Sequence, residues 1–147
     1  MKVTIEKSQQ YADPEILVRC RELDPILQDI ITYIGISEKI VGESQGELHF
    51  IPINHVFYFE SVDGIIFIYT TDRVYKTSAK LYTLEDQLKN TYFQRISKTA
   101  ILNLRKLKSV KSGRNYTLIG TLLNDEKILI SRHYVQTIKE KLGGIKV

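Results

Sequence analysis

The sequence is poor in everything that stabilises or equips a protein other than a packed core. It holds a single cysteine, Cys20, so no internal disulfide can form. The histidines are His49, His55 and His133, and none stands at metal-ligand spacing from another histidine or from the cysteine, so no zinc site is expected. There is no glycine-rich phosphate loop. No apolar run reaches the ~18 residues that span a bilayer. The first residues, Met1-Lys2-Val3-Thr4-Ile5-Glu6, lack the apolar stretch of a signal peptide. A cytoplasmic protein without cofactor, metal or small-molecule substrate is expected. Cys20, near Ile16 and Val18, is expected as a small buried hydrophobe.

The most informative deficit is of one sign of charge. From Asp86 to Asp125 no carboxylate intervenes, while Lys89, Arg95, Lys98, Arg105, Lys106, Lys108, Lys111 and Arg114 all fall inside. A solvated face normally mixes signs, so this stretch points to a polyanion and, among polyanions, to nucleic acid. Residues 1–38 carry 4 basic and 7 acidic side chains, or −3; residues 39–147 carry 17 and 10, or +7; together they give the chain's +4. The basic stretch has few aromatics, Tyr92, Phe93 and Tyr116, whereas single-strand binders interleave stacking rings with cations. Duplex DNA is therefore favoured. A two-metal nuclease centre has no acids to stand on there. Glu60 reads as structural and Asp63 as the first residue of an Asp-Gly turn. No enzyme is expected.

What is present reads as two regions, 1–38 and 39–147. In the first, Val3-Thr4-Ile5 and the alternating Ile16, Val18 and Cys20 read as strands. Asp24-Pro25 reads as an N-cap with proline at the first helical position. Ile26, Leu27, Ile30, Ile31 and Ile34 then follow at helical spacing up to Gly35. Such a strand–strand–helix extension could self-associate, dock a partner, or simply pack on the rest of the chain.

From Lys39 the pattern changes to short strands and tight turns. Hairpins are expected around Ser44-Gln45-Gly46 and Val62-Asp63-Gly64, with Val56–Phe59 as a buried strand. Further strands are expected at Val74–Thr77, Arg95–Ser97, Leu107–Lys111, Tyr116–Ile119 and Lys127–Ile130. Helices are expected at Ala79–Lys89, with Leu81, Leu84 and Leu88 inward, and after Ser131, with Tyr134, Val135, Ile138 and Leu142 inward and Gly143-Gly144 as the stop. The fold class is mainly β: an elongated antiparallel domain with two short helices.

Three segments in order resemble the LytTR-type DNA-binding domain. Val56-Phe57-Tyr58-Phe59-Glu60-Ser61 resembles its first signature strand. Phe93-Gln94-Arg95-Ile96-Ser97-Lys98-Thr99-Ala100-Ile101-Leu102-Asn103 resembles its most diagnostic segment. Leu129-Ile130-Ser131-Arg132-His133-Tyr134 resembles its closing motif. The resemblance runs from about Lys39 to Leu142. It implies a bacterial transcription regulator whose loops enter successive grooves of duplex DNA at promoter direct repeats. It makes Lys98 and Arg132 base-contact candidates, with a plain phosphate contact equally open for Lys98. Ser97 stands where the family has histidine, and Asn103 reads as a turn-fixing residue. The Val62-Asp63-Gly64 turn, where the family makes a further contact, offers no cation. Arg95, Arg105, Lys106, Lys108 and Lys111 are expected as backbone-positioning charges.

Many family members carry a receiver domain upstream, for which 38 residues leave no room. The resemblance is thus to stand-alone regulators, controlled by abundance, by homodimerisation or by a sequestering membrane protein. An RNA-binding or protein-docking β module with a basic surface is the alternative.

Overall fold

The computed structural model describes residues 2–12, 15–34 and 39–143, with the backbone alone for residues 32–34. Helix α1 spans Pro25–Ile34. Asp24 caps it as the sequence predicts: its Oδ1 accepts from the Leu27 N–H at 2.8 Å. The two strands expected before it do not form. Residues 2–8 and 15–20 lie outside any ladder, and Val3, Ile5, Ile16 and Leu17 are exposed. Alternation alone does not make a strand; a neighbour must take up the backbone hydrogen bonds, and here none does. For the same reason Cys20 is exposed rather than buried. Gly35 and Gly144 lie outside the described residues.

The remaining elements form two antiparallel sheets. Strands β1 (Lys39–Ser44), β2 (Glu47–Pro52), β3 (Val56–Val62), β4 (Ile65–Thr70), β5 (Val74–Thr77), β6 (Phe93–Arg95) and β7 (Ala100–Asn103) build a seven-stranded sheet in the order β2-β1-β5-β4-β3-β7-β6. Strands β8 (Leu107–Ser112), β9 (Leu118–Leu122) and β10 (Lys127–Ile130) build a three-stranded sheet in the order β10-β9-β8. Helices α2 (Leu81–Gln87) and α3 (Arg132–Lys141) complete the domain. The turns at Gln45-Gly46 and Asp63-Gly64 have positive φ at both residues, as tight hairpins require.

Two cores share the central strands. Val56, Phe59, Ile68 and Ile101 pack with Leu81 and Leu84 of α2 and with Leu88 at its C-cap. Phe57, Tyr58 and Leu102 pack with Leu118, Leu122 and Ile130 of the small sheet and with Ile138 of α3. The large sheet therefore lies between α2 on one side and the small sheet with α3 on the other. A register shift between Val56 and Tyr58 lets the consecutive Phe57 and Tyr58 both enter the second core.

The structure differs from the sequence reading in several places; helix α2 runs Leu81–Gln87 rather than Ala79–Lys89. Strand β6 ends at Arg95, where it pairs with Ile101, and Ile96–Thr99 is a loop. Strand β9 begins only at Leu118, because Arg114–Tyr116 is a 3-10 turn with Asn115 and Tyr116 at positive φ. Strand β7 gave no alternation because all four of its residues are buried.

Candidate nucleic-acid interface

The ladder registers sort the loops by end. In the small sheet Ser112 stands opposite Leu118, and Leu118 opposite Ile130. The 113–117 loop and the start of α3 therefore share one end. In the large sheet Arg95 stands opposite Ile101 and Ala100 opposite Glu60, which places the 96–99 loop beside the end of β3. The Ser61 N–H donates to the Thr99 carbonyl at 2.8 Å, so the Val62-Asp63-Gly64 turn borders that loop. The Ser131 N–H donates to the Ile96 carbonyl at 2.8 Å and joins the two sheets at this end. Three segments far apart in sequence, 96–99, 113–117 and 131–132, thus converge.

Within that convergence the residues divide by task. The Arg95 guanidinium, with a side chain 12% exposed, donates from Nε to Glu85 Oε2 at 3.0 Å. Its Nη1 donates to the Lys98 carbonyl at 2.9 Å. The fork thus bridges α2 to the apex of the 96–99 loop and holds the loop's shape. Ser97 Oγ accepts from the Thr99 N–H at 3.1 Å and fixes the loop locally. Ile96 is fully buried and anchors its base. Lys98, held at the apex, turns an exposed side chain outward. Arg132 opens α3 and is likewise exposed. Ser131 occupies the N-cap position, but its hydroxyl makes no cap bond; its N–H instead ties the helix start to Ile96.

The sequence reading left out the 113–117 loop. Tyr116 is 88% exposed, and Arg114 and Asn115 are exposed beside it. Consecutive positive φ values of 54° and 63° at Asn115 and Tyr116 hold the chain in a costly conformation that projects these side chains. The available signal was an aromatic at the end of a basic run, which strand alternation had absorbed.

The other expected cations lie elsewhere. Asn103, 2% exposed, donates Nδ2 to the Val56 carbonyl at 2.9 Å and accepts at Oδ1 from the Arg105 N–H at 3.1 Å. It fixes the turn into the 3-10 segment Leu104–Lys106, as its sequence context implied. This turn sits at the opposite end of β7 and β8. The Leu123 N–H donates to the Lys106 carbonyl there at 2.9 Å, which brings in the β9–β10 turn. Arg105 stacks over the Tyr92 ring at 5.1 Å, and Lys106 Nζ lies 5.1 Å from the Phe57 centroid. Burial lowers the Lys106 pKa, and the neighbouring Arg105 lowers it further. Lys108 is paired with Asp125 at 2.9 Å, and that contact lowers the Asp125 pKa. Lys111 is the exception: it is exposed on β8 one residue before Ser112, next to the 113–117 loop.

Tyr58 OH donates to Glu126 Oε1 at 2.8 Å and stacks on Tyr69 at 4.3 Å, joining the large sheet to the β9–β10 turn. Burial, then the Glu126 hydrogen bond, push the Tyr58 pKa well above its ordinary value. Among the described residues, no three of His, Cys, Asp or Glu cluster so as to hold a metal ion. No described helix is long and apolar enough to cross a membrane.

Comparison with known proteins covers most of the β domain. The family model described as the LytTr DNA-binding domain matches residues 46–143. The transcriptional regulatory protein LytR of Staphylococcus aureus is 30% identical over 106 residues, 72% of this chain and 43% of that protein. The sensory transduction protein LytT of Enterococcus faecalis is 29% identical over 107 residues, 73% of this chain and 44% of that protein. The chain thus spans less than half the length of these relatives. A solved LytTr DNA-binding domain, from a putative methyl-accepting/DNA response regulator of Bacillus cereus, superposes with a TM-score of 0.68 at 19% identity. It covers 73% of this chain and 98% of that one.

Proposed function

This chain belongs to the LytTR family of DNA-binding domains, and we propose that it is a sequence-specific regulator of transcription that reads duplex DNA through Lys98 and Arg132. The observation that carries the proposal is the Ser131–Ile96 hydrogen bond. It sets a rigidly held loop and a helix start side by side, each presenting an exposed cation. A guanidinium at a helix start can make two parallel hydrogen bonds to guanine O6 and N7, while free amide N–H groups there can donate to a phosphate. Lys98 is a single flexible donor, suited to a base edge or to the adjoining backbone. Tyr116 and Arg114 flank the same surface and extend its contact along the groove. The reading unit is residues 39–147, its targets are promoter repeats, and its place of work is the cytosol. Its role is binding rather than catalysis.

Arg132→Ala is the test. Binding to the operator, found by genome-wide mapping, should fall by roughly 5- to 150-fold relative to random duplex, the equivalent of one lost bidentate base contact. Arg132→Lys should not restore it, because an ammonium lacks the planar fork. Log affinity should fall with log salt by about 0.9 for each phosphate neutralised. Equal losses on operator and random DNA in a folded variant would make Arg132 a backbone contact. Preference for structured RNA in competition would move the protein out of duplex recognition.

A further inference from the structure

Strand β2 is the outermost strand of the large sheet and pairs on one side only, with β1. Alternate residues of an antiparallel strand turn their N–H and C=O away from the partner, so the outer edge is an open template. Little blunts it. Glu47–Pro52 contains no lysine and no register shift, and its proline stands at the very end. By contrast β6 has only three residues, and β8 carries Lys108 and Lys111. On one face of the β1–β2 hairpin Leu48 and Phe50 are 68% and 67% exposed, with Val41 beside them at 43%.

The complementary half is the arm that precedes α1. Residues Glu15-Ile16-Leu17-Val18-Arg19-Cys20-Arg21 alternate as a strand yet form no ladder. Ile16 and Leu17 are 59% and 74% exposed.

We propose that residues 16–21 of a second copy add to the outer edge of β2 as an antiparallel strand, and that exchange of the two arms forms a two-fold dimer. One register uses all six residues of β2. It sets Arg21 opposite Glu47, Cys20 opposite Leu48, Val18 opposite Phe50 and Leu17 opposite Ile51. Arg21 meets the opposite charge of Glu47 and the apolar residues meet apolar ones, while Arg19 falls opposite His49 beside Glu47; opposite-charge and apolar cross-strand pairs stabilise a sheet. A slip of one residue would turn Arg19 and Arg21 onto the Leu48–Phe50 face. A slip of two in one direction leaves Arg21 beyond the strand and sets Glu15 against Ile51; in the other it sets Arg19 against Ile51 and Arg21 against His49. Each chain presents both an open arm and an open edge, so a second copy satisfies both at once and closes the assembly. Strands β1, β5, β4 and β3 separate this edge from β7 and the 96–99 loop, so the dimer leaves the DNA-reading end uncovered.

The native cysteine makes the register testable in the full chain. Leu48→Cys should, on oxidation, give a disulfide-linked dimer on a non-reducing gel. The link should be absent from the native protein and from Cys20→Ser/Leu48→Cys. Sedimentation velocity should show a dimer for the native chain. Arg21→Glu should weaken it by about five-fold for each of the two pairings lost, and Arg21→Glu/Glu47→Arg should recover it. A native chain that is monomeric at high micromolar concentration, or a Leu48→Cys protein that forms only an internal disulfide, overturns the proposal. Neither result bears on DNA recognition, whose test is Arg132.

Discussion

The two ends of the three-stranded sheet carry cations of similar number and opposite disposition. Six residues of β8 separate them, roughly 20 Å. At one end Lys98 and Arg132 project from segments whose own backbone and supporting side chains are satisfied. At the other, Arg105 and Lys106 lie over Tyr92 and Phe57, and Lys108 is paired with Asp125. Lys98, Arg105, Lys106 and Lys108 fall in one carboxylate-free run and Arg132 beyond it; the fold sets Lys98 beside Arg132 at the proposed reading end and the other three at a fastening end. Charge density in a sequence thus measures attraction to a polyanion, while the partners each charge has already taken decide which of them can read it.

Substitutions can break this contrast. The largest effect is expected at the anchor of the reading end. Ile96 is fully buried, and Ile96→Ala should destabilise the domain by roughly 2–5 kcal/mol through lost burial and a residual cavity. Urea denaturation measures this, and a change under about 1 kcal/mol would mean the loop base is not anchored there. Next comes Arg95→Ala, which removes charged hydrogen bonds to Glu85 and to the Lys98 carbonyl, worth about 1.5–3 kcal/mol each in a shielded setting and less where Glu85 meets solvent. Operator affinity should fall more than random-duplex affinity, because the loop loses its shape while the net electrostatics changes by one charge. A uniform loss on both DNAs would instead make Arg95 a phosphate contact.

The fastening end is sharpened by two smaller effects. Lys106→Ala should cost about 0.5–1 kcal/mol of stability for the lost contact with Phe57. It should leave the ratio of operator to random binding unchanged. Titration of Tyr58 gives a second handle. Its pKa is raised in the folded protein, so the folded state holds the proton more tightly than the unfolded one. That contribution is complete below the ordinary tyrosine pKa of about 10 and is lost as pH climbs above it. Thermal melts should therefore fall more steeply above pH 10 for the native chain than for Tyr58→Phe. Parallel curves would show that burial and the Glu126 bond together do not raise the Tyr58 pKa.

The smallest effect is expected from Asp125→Asn. This exposed pair should leave stability unchanged within error, since solvent and salt screen it. Release of Lys108 should strengthen random-duplex binding slightly at low salt. Unchanged affinity would place this end away from the DNA backbone.

Much of the fold was legible because its signals are local. The Gln45-Gly46 and Asp63-Gly64 turns, the Leu81–Leu84–Leu88 stripe of α2 and the Ile138-centred face of α3 each depend on residues a few positions apart. The family resemblance was legible because three short segments kept their order along the chain. Strand β7 was not, since burial on both faces erases the alternation by which a strand is recognised. Nor was the arm before α1, where alternation was present and the partner strand was missing.

By itself, then, the sequence determined that this protein is a basic, mainly β module with a carboxylate-free stretch fit for nucleic acid, and its resemblance to the family pointed to Lys98 and Arg132. Only the tertiary structure decided that Arg95 and Ser97 hold a loop, that Lys106 and Lys108 are engaged with Phe57 and Asp125, and that Tyr116 joins Lys98 and Arg132 at one end. The reason is physical. Charge and periodicity are sums over neighbours in the chain, whereas the face a side chain shares depends on ladder register and packing between segments tens of residues apart, where a shift of one residue reverses every side chain.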